Sequence, residues 1–487
     1  MAFHPKHFLD EYPFIIRDGV CDLCGNMVYI ESSACYCPTC KSSFHKDCLT
    51  ITYPKIHEHT LTFIHRENHF VCDACGSIHP DMINMFGCLQ CNFFIHKKCI
   101  FLPKAIKLTR HPHRLSHTFC ISDGKQHCGV CHKILNKCYG GYTCINKVCK
   151  YVIHSNCATD SQVWDGKDIE GEPEELVKSG FDLASLTEIN GRMMRHFSHD
   201  HDLMNLSVDV EGESDQICQA CILPIDYGKL LACKLCEFFL HDTCAHLPRK
   251  MEHLLHRHPL TLQVYDLNME KGFFTCSTCN RDSCGFMYQC CQGDCVFQID
   301  VRCASLVEPF IHSVHPHPLF LRQRNDPLFL RQNNDLLFQR QNCDGCHGYS
   351  RSFVDCRTCY FVLDLTCLTL PKLIKHKYDL HPLTLGHHTM LQEEFHMICD
   401  ICEKVISKDK LLYSCHHCLF TLHVECTIGK NPYLKSGHWI KKYGLEINIS
   451  SNNGPSRPTC RTCQHVCQDK LVFKKQDVCF CSKECIL

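Results

Sequence analysis

The stretch CDACGSIHPDMINMFGCLQCNFFIHKKC, residues 72–99, contains a pattern that recurs along the chain. It consists of Cys-x2-Cys, a spacer of about a dozen residues, and a second cysteine pair followed by x4-His-x2-Cys. The second half of the pattern recurs seven times, at 37–48, 88–99, 144–157, 233–244, 290–303, 356–367 and 415–426. Self-similarity at a fixed period indicates repeated structural units, so the chain is predicted to be a tandem array.

Each unit of about 55 residues offers eight sulfur or imidazole donors, and the chain has 46 Cys and 37 His in 487 residues. Structural zinc takes four such ligands, so two zinc ions per unit are predicted. The few apolar side chains of a unit cannot alone offset an ordering entropy of about 1.5 kcal/mol per residue. A structural zinc ion contributes roughly 10–16 kcal/mol, and we therefore expect each unit to be unfolded without metal.

The composition predicts an intracellular protein, in the cytoplasm and/or nucleus. The first residues, MAFHPKHFLDEYPF, lack a basic region followed by an apolar one, and no stretch approaches about 18 apolar residues. In a reducing compartment, cysteine spacing indicates metal binding. A secreted disulfide scaffold is the alternative, but it gives no reason for a histidine to follow a cysteine by five residues at His45, His96, His154, His241 and His423. With a net charge of −1, no nucleic-acid partner is predicted.

The order His-x12-Cys-x2-Cys-x12-Cys-x2-Cys-x4-His-x2-Cys of the second unit resembles the zinc finger of protein kinase C that binds phorbol ester and diacylglycerol. The closing ligand is histidine here, where that finger has cysteine. Phrases between units, such as HRHPLTL at 256–262, resemble the divergent form of this finger, the C-one-like domain of plant cysteine/histidine-rich proteins. The resemblance covers nearly the whole chain. It implies small zinc-stapled α+β modules, seven cross-braced two-zinc fingers with short strands and a short helix each.

The cross-braced topology of that family implies how the ligands divide between two zinc ions. In the second unit one ion takes His59, Cys88, Cys91 and His111, and the other takes Cys72, Cys75, His96 and Cys99. In the fourth unit the two sets are His201, Cys233, Cys236 and His253, and Cys218, Cys221, His241 and Cys244. The histidine that closes a unit is expected with eight residues between it and the last cysteine, as at His57, His253, His312 and His376.

The remaining units supply the following candidate ligands. The first unit has His7, Cys21, Cys24, Cys37, Cys40, His45 and Cys48, and the third has His113, Cys128, Cys131, Cys144, Cys149, His154 and Cys157. The fifth has His258, Cys276, Cys279, Cys290, Cys295, Asp300 and Cys303, and the sixth has His317, Cys343, Cys346, Cys356, Cys359, Asp364 and Cys367. The seventh has His381, Cys399, Cys402, Cys415, Cys418, His423, Cys426 and a closing His438.

The third, fifth and sixth units depart from the repeat. Asp300 and Asp364 stand where other units have histidine; carboxylate is an acceptable zinc ligand, so occupied Cys3Asp sites are favoured over degenerate ones. In the third unit no His or Cys soon follows Cys157, so Asp165 or water is expected to complete that site. In the fifth unit Cys290 is favoured over Cys291, because only Cys290 reproduces the gap of the third unit.

The predicted units occupy 1–56, 57–110, 111–165, 196–252, 253–311, 312–375 and 376–438. An acidic linker is predicted at 166–195, between the third and fourth units, and a tandem duplication lengthens a loop of the sixth unit at 318–342. A further cysteine cluster is predicted at 456–487. One more zinc ion is assigned there to Cys460, Cys463, Cys481 and Cys485, with Cys467 and Cys479 as competing ligands.

The sequence favours a non-enzymatic, zinc-binding interaction scaffold in intracellular signal transduction, with proteins as partners. It contains no dinucleotide, phosphate-loop or hydrolase motif, and a zinc ion with four protein ligands leaves no position for substrate. The alternative is a lipid module that binds diacylglycerol. It is disfavoured, because MFG, GGYT or KLLA stands where the kinase finger has Gln-Gly. A thiol-disulfide oxidoreductase or ubiquitin ligase is a further alternative, without a thioredoxin-like unit or ring-type ligand order to support it.

Overall fold

A computed structural model describes most of the chain. The described residues are 10–11, 19–28, 34–37, 41–52, 54–64, 71–77, 85–119, 121, 126–146, 148–172, 185–191, 193–208, 216–225, 228–264, 273–323, 342–350, 352–376, 378–387, 397–442, 445–452, 454 and 456–486. They group into two compact bodies, Met1–Glu175 with His256–His258, and Leu176–Leu255 with Pro259–Leu487. Of the predicted ligands, His7 and Cys40 lie outside the described residues.

Antiparallel sheets of short strands are the repeated element of the fold. In the first unit Asp10–Glu11, Ala34–Cys37 and Ser42–His45 form one sheet, and Gly19–Val20 pairs with Met27–Val28. The second unit has the strands Thr50–Ile51, Leu61–Ile64, Met85–Cys88 and Phe93–His96. The third has Ala105–Ile106, Leu115–Thr118, Gly141–Cys144 and Val152–His154.

The second body repeats this order. The fourth unit has Leu186–Asn190, Met193–His196, Leu203–Val208, Gly228–Cys233 and Phe239–His241. The fifth has Lys250–His253, His256–Gln263, Met287–Cys290 and Gln298–Asp300, with a small hairpin of Phe274–Thr275 and Asp282–Ser283. The sixth has Phe310–His312, His315–Gln323, Ser352–Cys356 and Val362–Asp364, and the seventh has Leu373–His376, Asp379–His387, Leu411–Ser414 and Thr421–His423.

A single helical turn follows the last strand of each unit. These turns are 3₁₀ helices at Lys46–Cys48 and Lys97–Phe101, and α-helices at Ser155–Ala158, Asp242–Ala245, Val301–Ala304, Leu365–Leu368 and Val424–Ile428. Each turn carries the last cysteine of its unit. The predicted α+β modules are therefore mostly strand, with little helix, and none of the described helices is long and apolar enough to cross a membrane.

In the second to seventh units, the first strand of the sheet begins before the boundary that the sequence predicted. Thr50–Ile51 pairs with Leu61–Thr62, so the sheet of the second unit begins before residue 57. Within the predicted linker 166–195, residues 186–190 and 193–196 are strands of the fourth unit's sheet. The part of this segment next to the fourth unit is therefore sheet, because its backbone hydrogen bonds pair with that unit.

The C-terminal unit also has a sheet of its own. Its strands are Trp439–Lys442, Leu445–Ser451, Leu471–Lys475 and Val478–Phe480, and the 3₁₀ turn Glu484–Ile486 follows. Ile447, Ile449 and Phe473 are fully buried between them. The predicted cluster at 456–487 is thus the second half of a folded unit that begins near residue 438.

Neighbouring units share their apolar cores. Phe44 of the first unit packs 5.4 Å from Phe63 of the second, measured between ring centroids. Units four and five bury one cluster around Leu231 and Tyr288, and units six and seven bury another around Leu363 and Tyr413. In both cases the tyrosine hydroxyl donates to a proline carbonyl, Pro248 at 2.6 Å and Pro371 at 2.7 Å. Each core is therefore larger than one unit could build.

Backbone hydrogen bonds join the first Cys-x2-Cys turn of one unit to the next unit. Gly140 N donates to Asp73 O at 2.6 Å, Phe286 N donates to Ala220 O at 2.9 Å, and Leu411 N donates to Gly345 O at 2.9 Å. At Gly285 the approach is so close that a Cβ atom would lie 2.2 Å from Ala220 O. These junctions fix how consecutive units pack within each body.

Candidate metal centres

The Cys-x2-Cys segments form tight turns that bring both sulfurs to one side. The residue after the second cysteine has φ between 53° and 75° at Gly25, Lys41, Gly76, Asn92, His132, Ile222, Asn280, His347, Glu403, Leu419 and Gln464. At the first knuckles of the seven units and at Gln464, its N–H donates back to the carbonyl of the first cysteine, as from Gly76 to Cys72 at 2.8 Å. We call such a turn a knuckle; each unit has a first and a second one.

The first knuckle of a unit lies beside the His-x2-Cys that begins the helical turn. In the second unit Cys72, Cys75, His96 and Cys99 form a buried cluster, and corresponding clusters are Cys21, Cys24, His45 and Cys48, and Cys128, Cys131, His154 and Cys157. His96 Nδ1 lies 3.5 Å from Cys75 Sγ and 3.9 Å from Cys99 Sγ. In the fourth and seventh units His241 Nδ1 lies 3.4 Å from Cys221 Sγ, and His423 Nδ1 lies 3.3 Å from Cys402 Sγ.

These separations fit zinc. Zn–S bonds of about 2.3 Å and Zn–N bonds of about 2.0 Å place two donors of one tetrahedron about 3.5 Å apart. The first cysteine of each knuckle also accepts a backbone N–H, from His96 to Cys72 Sγ and from His241 to Cys218 Sγ, each at 3.4 Å. Such bonds to sulfur orient the ligands and offset thiolate charge.

Aspartate replaces histidine in the fifth and sixth units without a change in geometry. Asp300 Oδ2 lies 3.3 Å from Cys279 Sγ, and Asp364 Oδ2 lies 2.9 Å from Cys346 Sγ. The other oxygen of each carboxylate caps the following turn, accepting from Cys303 N at 3.1 Å and from Cys367 N at 2.6 Å. The structure therefore brings both aspartates into Cys3Asp clusters, where one oxygen faces the sulfurs and the other holds the turn.

The second knuckle faces two groups that are two residues apart in the opening phrase of the same unit. His57 and His59 lie with Cys88 and Cys91, and His111 and His113 lie with Cys144 and Cys149. His59 Nδ1 lies 3.1 Å from Cys91 Sγ, and His111 Nε2 lies 3.2 Å from Cys144 Sγ. Nine further groups of at least three His, Cys, Asp or Glu donors lie close together among the described residues.

The remaining second knuckles of the second body follow the same scheme. In the fourth unit Cys236 Sγ lies 3.2 Å from His199 Nε2 and 3.7 Å from His201 Nδ1. In the sixth unit Cys359 Sγ lies 3.4 Å from His315 Nε2 and 3.9 Å from His317 Nδ1. In the seventh unit Asp379 Oδ1 and His381 Nδ1 both lie 3.2 Å from Cys418 Sγ.

This division of ligands differs from the one that the resemblance implied. His111 was expected to close the second unit with Cys88 and Cys91, but it lies in the third unit's cluster and His57 takes that place. The physical reason is strand pairing, since the opening phrase of a unit precedes or begins the strand that pairs with the strand before its own second knuckle, as Leu61–Ile64 pairs with Met85–Cys88. With His111 and His113 in place, the third unit needs no help from Asp165, whose Oδ1 accepts from Lys167 N at 3.1 Å.

The sequence reasoning missed His199, His315 and Asp379 as candidate ligands. The signal was present in the phrases HDH, HPH and DLH, in which two donors stand two residues apart, as do His57 and His59. The fifth unit has the same phrase, and the rings of His256 and His258 lie 5.1 Å apart between centroids. In that unit Cys290 is buried and Cys291 is exposed, and the choice of Cys290 as the ligand stays a prediction.

The histidines expected to close the fourth and fifth units hold turns instead. His253 Nδ1 accepts from Leu255 N at 3.3 Å, and its Nε2 hydrogen-bonds with Leu306 O at 3.0 Å. His312 Nδ1 accepts from Val314 N at 3.4 Å, and burial lowers the pKa of His312 to about 4. His376 is buried in the corresponding turn, and His438 precedes the first strand of the C-terminal unit.

An aromatic ring supports the first histidine of each opening phrase. The ring of His57 stacks on Phe93 with centroids 4.5 Å apart, and His111 stacks on Tyr151 at 4.0 Å. His199 stacks on Phe238 and His315 on Phe361, both at 4.1 Å. Burial lowers the pKa of His57, and burial with His113 lowers that of His111 to about 4. Both rings are therefore neutral at physiological pH, the form that binds metal.

The C-terminal unit holds one knuckle cluster. Cys481 Sγ lies 3.6 Å from both Cys463 Sγ and Cys485 Sγ, close to the sulfur separation of about 3.8 Å in a zinc tetrahedron. Cys460 is buried in the same cluster of residues. Of the competing cysteines, Cys467 is fully buried beside Val472, and Cys479 pairs through its backbone with Lys474. The sulfurs of Cys463, Cys481 and Cys485 therefore converge, and the assignment of Cys460 as the fourth ligand stays a prediction.

Short-strand modules with two interleaved Cys/His clusters define a class of small zinc-binding domains. A family model described as "C1 domain" matches residues 55–100, 109–158, 197–245, 254–304 and 376–427, which together exceed half of the chain. A second, described as "C1 domain-like, C-terminal", matches residues 447–486. The chain belongs to the C1 domain family, as the resemblance indicated. No curated protein and no solved structure matches it significantly.

Proposed function

We propose that this protein is a non-enzymatic interaction scaffold, organised by about two zinc ions per unit, that acts in intracellular signal transduction through protein partners. The observation that carries the proposal is the donor count. The clusters named above each provide four protein donors, so a bound zinc ion would have no open position for water or substrate. In these sites zinc would serve as a structural element of the fold.

Two features of the surface support a role in binding. Neighbouring units are joined by backbone hydrogen bonds, as between Ala220 and Phe286, so consecutive surfaces keep a fixed spacing. A leucine at the second knuckle is exposed in three units, to 65% at Leu89, 77% at Leu235 and 79% at Leu419. The three leucines stand at different places in their knuckles, two between the cysteines and one after them, and each offers apolar contact area to a partner.

The proposal is tested by proximity labelling in cells with the full chain and with Cys218→Ser, which removes a ligand. We expect a set of labelled proteins that the variant loses in part. Zinc-loaded protein is also expected to be inactive in insulin-reduction and autoubiquitination assays. Activity in either assay, or a labelled set equal to that of an unfused label, would contradict the scaffold function.

Diacylglycerol binding is the alternative. The segment before the second knuckle is Met85–Cys88 in the second unit, a buried strand that has Met-Phe-Gly in place of the Gln-Gly of the kinase finger. Sedimentation with liposomes, with and without diacylglycerol, separates the two functions. Pelleting that depends on diacylglycerol would replace the scaffold proposal with a lipid module.

A further inference from the structure

The acidic segment after the third unit lies on a basic part of the same body. Residues 160–175 contain seven Asp or Glu and one Lys, whereas residues 97–150 contain eleven Lys or Arg and one Asp. Part of the acidic segment was predicted to be a linker. In the structure its described residues are bound along units two and three.

The backbone of this segment pairs with an edge strand. Ala105–Ile106 is the outermost strand of the third unit's sheet and pairs on its inner side with Leu115–Ser116. On its outer side Ile169 N donates to Ala105 O at 3.0 Å, and Ala105 N donates to Asp168 Oδ1 at 3.4 Å. An unpaired strand edge is a template for an extended chain, and the acidic segment uses it in this way.

Three cations contact the segment on either side of this edge. Lys55 Nζ pairs with Asp168, Lys104 Nζ lies 2.9 Å from Glu170 Oε1, and Arg114 Nη1 donates to Glu172 O at 2.7 Å. Burial raises the pKa of Asp168, but the hydrogen bonds from Lys55 and from the backbone outweigh it and leave the pKa below its usual value. The surface thus contacts both the acidic side chains and the extended backbone of the segment that it binds.

The ion pairs that hold the acidic segment are weak enough for another acidic chain to displace it. The Lys55 and Lys104 side chains are each 48% exposed in their ion pairs. Ion pairs of this kind contribute about 0–1 kcal/mol each and are screened by salt. The segment is tethered directly to the third unit, however, and a short tether gives an effective concentration of about millimolar. A free ligand must therefore compete with a segment that is always nearby.

We propose that the edge strand Ala105–Ile106, with Lys55, Lys104 and Arg114, is a docking site for an extended acidic segment of a partner protein, and that residues 165–172 occupy it in cis. The inference deepens the scaffold function and rests on it. A peptide is favoured over a phosphate headgroup, because the bound segment donates and accepts along a strand edge, which a phosphate does not do.

The test uses the zinc-loaded full chain and a fluorescent peptide with the sequence of residues 160–175. We expect Asp168→Ala/Glu170→Ala to bind this peptide at least tenfold more tightly than the unsubstituted protein, because the internal competitor is weakened. Adding Lys55→Ala/Lys104→Ala should abolish the gain. The matched control adds Lys229→Ala/Lys250→Ala, which removes the same charge from exposed positions of other units and should preserve the gain.

Three results would overturn the proposal. They are equal affinity of the Asp168→Ala/Glu170→Ala variant and the unsubstituted protein, equal loss of affinity in the Lys229/Lys250 control, and equal binding of a scrambled peptide of the same composition. Binding of the Asp168→Ala/Glu170→Ala variant to phosphatidylserine vesicles with no binding of the peptide would assign the surface to a membrane instead. Zinc content measured for every variant shows that the fold is retained. If peptide binding fails while partner labelling persists, only this inference falls.

Discussion

At the scale of single residues, histidines with similar sequence spacing have different roles that their hydrogen-bond partners distinguish. His96 lies among three cysteines, His315 lies 3.4 Å from Cys359 Sγ, and His312 accepts a backbone N–H within its own turn. The sequence analysis predicted His312 as a metal ligand only from its spacing after the last cysteine of the fifth unit. A nitrogen that accepts from the backbone two residues later is committed to the turn, and this contact depends on local backbone geometry.

We therefore expect His312→Asn to retain the full zinc complement, because the Asn side-chain oxygen can accept the same backbone N–H. His315→Ala is expected to lose one zinc ion per chain, since it removes a donor from the sixth unit's second-knuckle cluster. Native mass spectrometry of the two variants measures this difference. Loss of an ion from His312→Asn would restore the ligand set that the resemblance implied.

Arg302 is a buried cation of the second body that contacts residues far apart in the sequence. Its Nη1 donates to Cys221 O at 2.6 Å, its Nη2 lies 3.2 Å from Asp300 Oδ2, and its Cζ lies 3.0 Å from the centroid of the Tyr433 ring. It thus contacts a ligand-bearing turn of the fourth unit, a candidate ligand of the fifth, and a residue near the end of the seventh. A single side chain links three parts of the body.

Replacing Arg302 by Leu is expected to destabilise the protein by about 1–3 kcal/mol, because Cys221 O loses its buried charged donor and the Tyr433 ring loses its cation. The apparent Tm of the zinc-loaded protein should fall by roughly 3–10 °C. Arg195→Leu is the matched control, since the Arg195 side chain is 65% exposed in its pair with Asp202 and should cost at most about 1 kcal/mol. Equal Tm values for the two variants would contradict the linking role of Arg302.

At the scale of elements, the knuckle is the turn that requires an unfavourable backbone conformation. Its last position is left-handed, a conformation that costs a residue with a Cβ roughly 1–2 kcal/mol relative to glycine. Only Gly25 and Gly76 meet this demand with glycine at the first knuckles, and non-glycine residues bear the cost at the others. The clusters of donor atoms hold these turns in place, so the metal and the strained turn are coupled.

Gly76→Ala is expected to destabilise the first body by about 1–2 kcal/mol. The new Cβ would combine a positive φ with a distance of 3.1 Å to Tyr139 Cβ. Gly25→Ala has the same backbone strain but no atom within 4 Å, so its cost should be smaller. Gly386→Ala, with neither feature, should be nearly neutral. Thermal unfolding of the zinc-loaded variants ranks the three, and an equal effect at Gly386 would remove the argument.

The elements also show how far the sequence could predict the candidate sites. The first-knuckle clusters were predictable, because Cys72, Cys75, His96 and Cys99 are close in sequence and their order repeats. The second-knuckle clusters were predicted only in part. Their cysteines were assigned, but the choice between His57 and His111 depends on which strand lies beside Cys88, and strand pairing is not visible in spacing. The turn role of His253 and the edge pairing of Ile169 likewise depend on partners far along the chain.

At the scale of the whole molecule, the units behave as linked repeats within each body. The first knuckle of the fourth unit contacts the fifth through Phe286 and Arg302, the fifth contacts the sixth through Thr366 and Cys279 O, and the sixth contacts the seventh through Leu411. In such arrays stability is the sum of repeat and interface contributions. Because each interface includes a turn that carries candidate zinc ligands, loss of one zinc ion should destabilise the adjacent unit even when that unit keeps its own zinc ions.

Removal of one ligand from the fourth unit tests this coupling. Cys218→Ser should release the first-knuckle zinc ion of that unit and free the turn that carries Ala220 and Cys221. Hydrogen exchange should then rise in residues 286–302 of the fifth unit, whose amide at Phe286 bonds to Ala220, and rise less in residues 411–426 of the seventh, two junctions further on. The matched control is Cys291→Ser, which changes an exposed cysteine outside the clusters and should alter neither segment. Exchange confined to the fourth unit would mean that the modules fold independently, whereas a graded response would show that zinc at one site stabilises the next.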